Sequence, residues 1–202
     1  AMAGASHSSE TSNGVTLSEG FEDWDGVTEG WLPEGWSITS NTGEIETSTP
    51  INWLVSPTQL YMPAADGNYY AVVYYDVNNK DEWLVSPVVD LPEVPKLYYK
   101  AYVSPAFLFE MSEETVDWET YEFIEKRMAA NVQVLVRAEG ETDWTVVKDY
   151  YEEYCSQNLS FYDLLMMEPS ELENFAIDLS GYKGKRIQVA FRYYGTDGNT
   201  VM

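Results

Sequence analysis

One cysteine and one histidine stand in a chain of 202 residues, and their scarcity removes several chemistries at once. Cys155 cannot close an intrachain disulfide, and without a CxxC partner it offers neither a zinc nor a redox motif. A Ser-His-Asp or Cys-His nucleophile needs a histidine. His7 lies in the small, polar opening AMAGASHSSETSNG, outside the patterned part of the chain. HExxH, P-loop and GxGxxG patterns are absent. Basic residues are scarce too: 11 Lys and Arg against 34 Asp and Glu give a formal charge of −23. Nucleic-acid affinity comes largely from cationic side chains that displace phosphate counterions, so a polyanion of this kind is repelled by nucleic acid. No stretch approaches the roughly 18–20 uninterrupted apolar residues of a membrane helix, so direct membrane insertion is not expected. Low cysteine is compatible with export, and composition leaves the compartment open.

Apolar residues make up 45% of the chain and aromatics 15%, enough for a large core. Residues 1–16 read as a flexible linker or an expression remnant, because the opening lacks the cationic region and apolar core of an export signal. Residues 17–202 read as a single β-sandwich domain. In Asn131–Arg137 (NVQVLVR) Val132, Val134 and Val136 share one face, and in Arg186–Tyr194 (RIQVAFRYY) Ile187, Val189, Phe191 and Tyr193 do the same. Tyr69–Tyr75, Leu97–Val103, Trp144–Lys148 and Phe175–Leu179 are further strands, rich in β-branched or aromatic residues and bounded by turn formers. Helical pattern is scarce. Ser112–Met128 places Trp118, Tyr121, Ile124 and Met128 at spacings near three and four, which predicts a short surface helix, although Tyr121 and Phe123 also fit alternation. Ser160–Met167 predicts two helical turns capped by Ser160 and stopped before Pro169. Short strands separated by turns, without a βαβ rhythm, predict an all-β, jelly-roll-like antiparallel β-sandwich with one or two short helical insertions.

The pentapeptide WLVSP occurs twice, as Trp53–Pro57 and Trp83–Pro87. A strand that enters a sheet, buries an indole and ends at a proline can be reused in this way, so the repeat reads as architectural. Trp53 and Trp83 are both expected to pack inside.

Several ordered short motifs carry a resemblance. Gly20-Phe21-Glu22, then Leu32-Pro33-Glu34-Gly35-Trp36, then DEWLVSP at 81–87 with Val88–Leu91, and finally LSGYKGKRIQVAFRYY at 179–194 before Asp197-Gly198, resemble the choice-of-anchor J domain and equally the cleaved-adhesin domains of haemagglutinin and gingipain-type proteins. The resemblance spans roughly Leu17 to Met202. It implies a jelly-roll sandwich on a secreted or outer-surface-attached bacterial protein, often of the Bacteroidetes, acting in adhesion or as an accessory module beside enzymes. It also implies structural Ca²⁺ between the "FE" segment and nearby loops. Family members usually continue with an acidic "IDD"-like segment, whereas this chain stops at Thr200-Val201-Met202, so the last strand reads as truncated. Ser104–Met128 reads as an insertion or an elaborated crossing.

With the resemblance, the oxygen-bearing residues near the two segments become a ligand set for one calcium ion: Glu22, Asp66 and Asn68, with Asp25. Calcium takes about six to eight oxygens, and the DGN turn projects Asp and Asn into one concavity, although the same residues also make ordinary turns. The aromatics invite a carbohydrate-binding reading, with Trp24, Trp31 and Trp118 in polar or loop-like context as ligand-binding candidates. The expectation is a non-catalytic, extracellular adhesion or ligand-binding module, monomeric, whose partner is a host or matrix protein or glycan. Two alternatives are a spacer that positions a neighbouring enzyme or anchor, and a glycan-acting enzyme using a carboxylate pair.

Overall fold

The computed structural model of the chain describes residues 2–3, 16–22, 30–45, 50–57, 63–64, 67–75 and 79–195. In chain order the strands are β1 (Met2–Ala3), β2 (Ser37–Ser40), β3 (Leu54–Pro57), β4 (Tyr69–Val72), β5 (Lys80–Val85), β6 (Val89–Asp90), β7 (Lys96–Ala101), β8 (Val116–Asp117), β9 (Glu122–Phe123), β10 (Ala130–Ala138) and β11 (Thr145–Asp149). Two short helices follow, α1 (Tyr150–Cys155) and α2 (Phe161–Met166), and then β12 (Glu173–Asp178) and β13 (Arg186–Gly195). One sheet has the order β12-β7-β1-β4-β3 and the other β11-β10-β13-β5-β2, with β6 paired to β13 and β8-β9 forming a separate hairpin. Every pairing among these strands is antiparallel.

The longest ladder joins β10 to β13, from Ala130 opposite Gly195 to Ala138 opposite Ile187. Because side chains alternate along a strand, this register sets Val132, Val134 and Val136 beside Tyr193, Phe191 and Val189 on one face. That face meets Tyr99 and Ala101 of β7, Ala71 of β4 and Val55 of β3 in one shared core. The Tyr99 ring lies edge-on to Phe191 of the opposite sheet at 5.5 Å and stacks on Phe175 of β12 at 5.2 Å. The two sheets therefore pack face to face as the sandwich the alternation predicts.

The two WLVSP copies do not point the same way. In the first, Trp53 and Val55 enter the shared core while Leu54 packs on the other face of its sheet, with Tyr70, Val72 and Leu172. In the second, β5 pairs with β13 so that Leu84 faces Phe191 and Trp83 faces Arg192. Leu84 is thus the core residue, and Trp83 lies on the outer face with Val85, Leu135, Ala190 and Trp144. The expectation that Trp83 packs inside is corrected by this register. Its ring is covered instead by Arg192 at 4.9 Å and Trp144 at 5.7 Å.

The helix expected over Ser112–Met128 is a hairpin. A single α-turn, with Tyr121 N–H donating to the Asp117 carbonyl at 2.7 Å, supplies one helical turn's worth of spacing, after which Ile124 N–H returns to the Thr115 carbonyl. The helix expected at 160–167 is present as α2. Ser160 accepts from Asp163 N–H, and the Asp163 carboxylate accepts from Ser160 N–H, closing a capping box. Helix α1 has no counterpart in the sequence expectations; Asp149 caps it by accepting from Glu152 N–H.

Candidate functional site

Strands β4 and β7 flank β1 and are both antiparallel to it, so they end on the same side of the sandwich, at Val72 and Ala101. The start of β10 and the end of β13 lie beside each other at Ala130 and Gly195. Where these ends meet, a cleft of about 350 Å³ opens between the sheets. Its walls are Trp53 and Tyr193 on the inner side, Val72 to Tyr75 and Tyr102 to Ser104 beyond the strand ends, and Phe107 and Leu108 of a short 3₁₀ turn. Val132 and Ala130 of β10 complete the lining.

The local structure of each wall follows from its residues. Trp53 is 2% exposed, and its indole N–H donates to the Glu82 carbonyl of β5 at 3.2 Å, tying the entry of one sheet to the other. Lys80 is buried on the same inward-facing side of β5 as Leu84. Its ammonium donates to the carbonyls of Pro50, at 3.3 Å, and Tyr74, at 2.8 Å, and lies 5.5 Å over the Tyr193 ring. A buried ammonium must be satisfied by acceptors of this kind, and in meeting that need it anchors the backbone carrying Tyr74 and Tyr75 to the floor of the cleft. Tyr75 packs on Phe107 with ring centroids 5.1 Å apart. The Ser104 hydroxyl donates to the Glu168 carboxylate at 2.6 Å, and partial desolvation pushes the Glu168 carboxyl up from its ordinary value.

Among the described residues the lining consists of aromatic rings, aliphatic groups and hydroxyls. Such a surface can desolvate an apolar group, stack on the C–H face of a sugar or the flank of an aromatic side chain, and orient it through hydroxyls.

The residues singled out from the sequence fall elsewhere. Of the calcium set, Glu22 and Asn68 are brought together, whereas Asp25 and Asp66 lie outside the described residues. Glu22 Oε1 accepts from the backbone N–H groups of Asn68 and Tyr69, each at 2.9 Å, and Oε2 accepts from Asn68 N–H at 2.9 Å. Gly67 has a φ of +67°, and a Cβ there would overlap the Glu22 carboxyl group, so the turn admits the carboxylate only because it carries glycine. Glu22 thus clamps a turn 46 residues away and keeps lone pairs to spare. Among the described residues no group of three His, Cys, Asp or Glu converges as a metal would require.

Trp24 lies outside the described residues. Trp31 is half-buried with its ring 5.9 Å from the core residue Phe21, and Trp118 is exposed, standing edge-on to Phe161 at 5.7 Å. The cleft residues Tyr74, Tyr75, Tyr102 and Phe107 were not singled out. For Tyr74 and Tyr75 the available signal was the aromatic end of Tyr69–Tyr75, which lies beyond the end of β4; Tyr102 and Phe107 had no such signal.

No protein family profile matches the chain, and no curated protein does. Among solved structures the chain is similar to the K1 cleaved adhesin domain of Lys-gingipain from Porphyromonas gingivalis W83, at 14% identity and a TM-score of 0.46, over 90% of this chain and 94% of that one.

Proposed function

We propose that the chain is a non-catalytic, extracellular adhesion-type module whose inter-sheet cleft captures an apolar group presented by a host or matrix partner, a protein side chain or a sugar face. The observation that supports this reading is the cleft itself. Its volume of about 350 Å³ and its aromatic lining are those of ligand sites, which commonly measure about 300–1,000 Å³ and combine apolar walls with a few polar groups.

The test is a solid-phase panel of matrix proteins and glycans probed with the full chain. At least one surface should bind, and Phe107→Asp, which plants a charge in the apolar wall, should weaken that binding by about tenfold or more. Tyr75→Ala serves where Phe107→Asp fails to fold. Binding to no surface, or binding indifferent to both variants, would favour the spacer reading instead.

Calcium belongs to the same proposal as a stabiliser of the Glu22–Asn68 turn. The Glu22 carboxylate, held in place by the backbone N–H groups of Asn68 and Tyr69, supplies one ligand towards a shell of six to eight oxygens. Calcium at about a hundred times its dissociation constant should add about 2.7 kcal/mol, a rise in melting temperature of roughly 5–10 °C for a domain of this size. Chelator should remove the rise, and Glu22→Gln should abolish it. A melting temperature indifferent to calcium would leave Glu22 as a turn clamp alone.

A further inference from the structure

The β8-β9 hairpin and α2 carry a second aromatic surface, separate from the cleft. Trp118, Tyr121 and Tyr162 are 42%, 39% and 53% exposed, yet they form a connected group. Trp118 and Tyr121 have ring centroids 6.1 Å apart, and Tyr121 and Tyr162 6.4 Å apart, each pair edge to face. Single exposed aromatics are ordinary, but a contiguous set is characteristic of an interaction site, and Trp and Tyr dominate binding energy at such sites.

The group is also held in place. Tyr121 has a φ of +57°, a left-handed conformation that a bulky residue rarely adopts. Two contacts fix it there: its N–H donates to the Asp117 carbonyl at 2.7 Å and its carbonyl accepts from Tyr162 N–H at 3.2 Å; the Asp117 carboxylate also accepts from Glu119 N–H at 2.9 Å within the turn. The strained residue is what carries the aromatic ring from the hairpin across to α2.

Charge selects the occupant. The molecule covers other aromatic faces with its own cations: Arg137 lies 4.3 Å over Trp144, Arg192 4.9 Å over Trp83 and, on the same hairpin, Lys126 5.5 Å over Phe123. Among the described residues no cation lies over Trp118, Tyr121 or Tyr162, and the exposed Glu119 and Glu122 of the same turn carry no ion pair. The nearest bases in sequence are engaged, Lys126 with the carbonyls of Cys155 and Gln157, and Arg127 with Glu110, Glu114 and Glu125. A chain of net charge −23 repels anionic surfaces and attracts cationic ones. We propose that Trp118, Tyr121 and Tyr162, flanked by Glu119 and Glu122, form a docking surface for a lysine- or arginine-rich segment of a protein partner, whose cations take the aromatic faces that this chain leaves uncovered.

The experiment uses octa-arginine and its neutral octa-citrulline analogue as probes. Both are titrated into the full chain by fluorescence anisotropy at about 0.15 M salt, where exposed charges more than about 8 Å apart are largely screened. Octa-arginine should bind and octa-citrulline should not. Trp118→Ala and Tyr162→Ala leave the charge unchanged, and each should weaken octa-arginine by about tenfold or more while moving the melting temperature by less than about 2 °C. The pair Glu119→Gln/Glu122→Gln should weaken it more than Glu141→Gln/Glu171→Gln, which removes the same charge elsewhere on the surface. If the aromatic variants titrate like the parent, or the two charge pairs behave alike, the peptide is held by diffuse attraction and the proposal fails. A parent dimer that Trp118→Ala dissolves in sedimentation velocity would give the face to a second copy of the chain and overturn the proposal as well.

Discussion

Trp53 donates its indole proton to the Glu82 carbonyl from a site only 2% exposed, whereas the Trp83 indole nitrogen is buried and has no partner among the described residues. Removing a satisfied buried donor leaves the acceptor stranded and opens a cavity, while removing an unsatisfied one relieves a cost. Trp53→Phe should therefore lose about 2–4 kcal/mol, and Trp83→Phe less than about 1 kcal/mol. Thermal melts of the two variants, identical in sequence chemistry, check the difference. A second prediction at this scale concerns Tyr99 and Tyr150, whose hydroxyls are 3.0 Å apart in the core. Burial pushes both phenols above their ordinary value of 10. Below that value both are neutral in the folded and the unfolded chain. Above it the unfolded chain releases protons that the folded chain still holds, so stability is intact below about pH 10 and falls as pH rises beyond it. Melting temperature followed from about pH 8 to about pH 11 should show that fall, and Tyr99→Phe/Tyr150→Phe, which removes both hydroxyls together, should make it shallower.

Among the elements, those with a strict period were legible. Val132, Val134 and Val136 announce β10, and Ile187, Val189, Phe191 and Tyr193 announce β13, because one face of each must be apolar to meet Tyr99 across the sandwich. The second WLVSP was legible as a strand but not in its facing, which is set by the pairing of Trp83 with Arg192, a partner far along the chain. The false helix at 112–128 has an equally physical cause: the α-turn closed by Tyr121 and Asp117 reproduces helical spacing for one turn, and the left-handed φ at Tyr121 then ends it. Helix α1 was missed because Tyr150–Cys155 is short and buries only Tyr150, too little for a periodic signal. Helix α2 was found through its cap, and the cap carries a prediction. Ser160→Ala removes the capping box and should cost about 1 kcal/mol, a drop of roughly 2–4 °C in melting temperature, while Ser160→Asp should retain most of the stability. Because Phe161 supports Trp118, Ser160→Ala should also loosen the aromatic face, visible as broadened Trp118 indole signals in NMR.

At the scale of the whole molecule, the sandwich was legible from sequence and the cleft was not. Trp53, Tyr75, Tyr102, Phe107 and Tyr193 come from separate segments, and only the common ending of β4 and β7 brings them together. Sequence context instead favoured tryptophans in polar surroundings, of which Trp31 packs against Phe21 and Trp118 belongs to a different surface. Glu22 and Asn68 were expected as ligands of one calcium ion, Glu22 from the FE segment of the resemblance and Asn68 from a turn that presents oxygens; the contact present between them is the backbone N–H of Asn68 on the Glu22 carboxylate, which sequence pattern does not announce. The central claim, that the cleft is the place where a partner's apolar group is held, has a direct reporter in the Trp53 indole, which lines the cleft and is fixed to Glu82. The measurement is a ¹⁵N–¹H titration of the full chain with N-acetylphenylalaninamide and, separately, with methyl β-glucoside. The account predicts that at least one of them shifts the Trp53 indole signal and the amides of Tyr74, Tyr75 and Phe107 saturably, and that Tyr75→Ala removes the shifts. Titrations with both probes that leave the Trp53 indole unmoved, or that shift amides scattered over the surface instead, would contradict it.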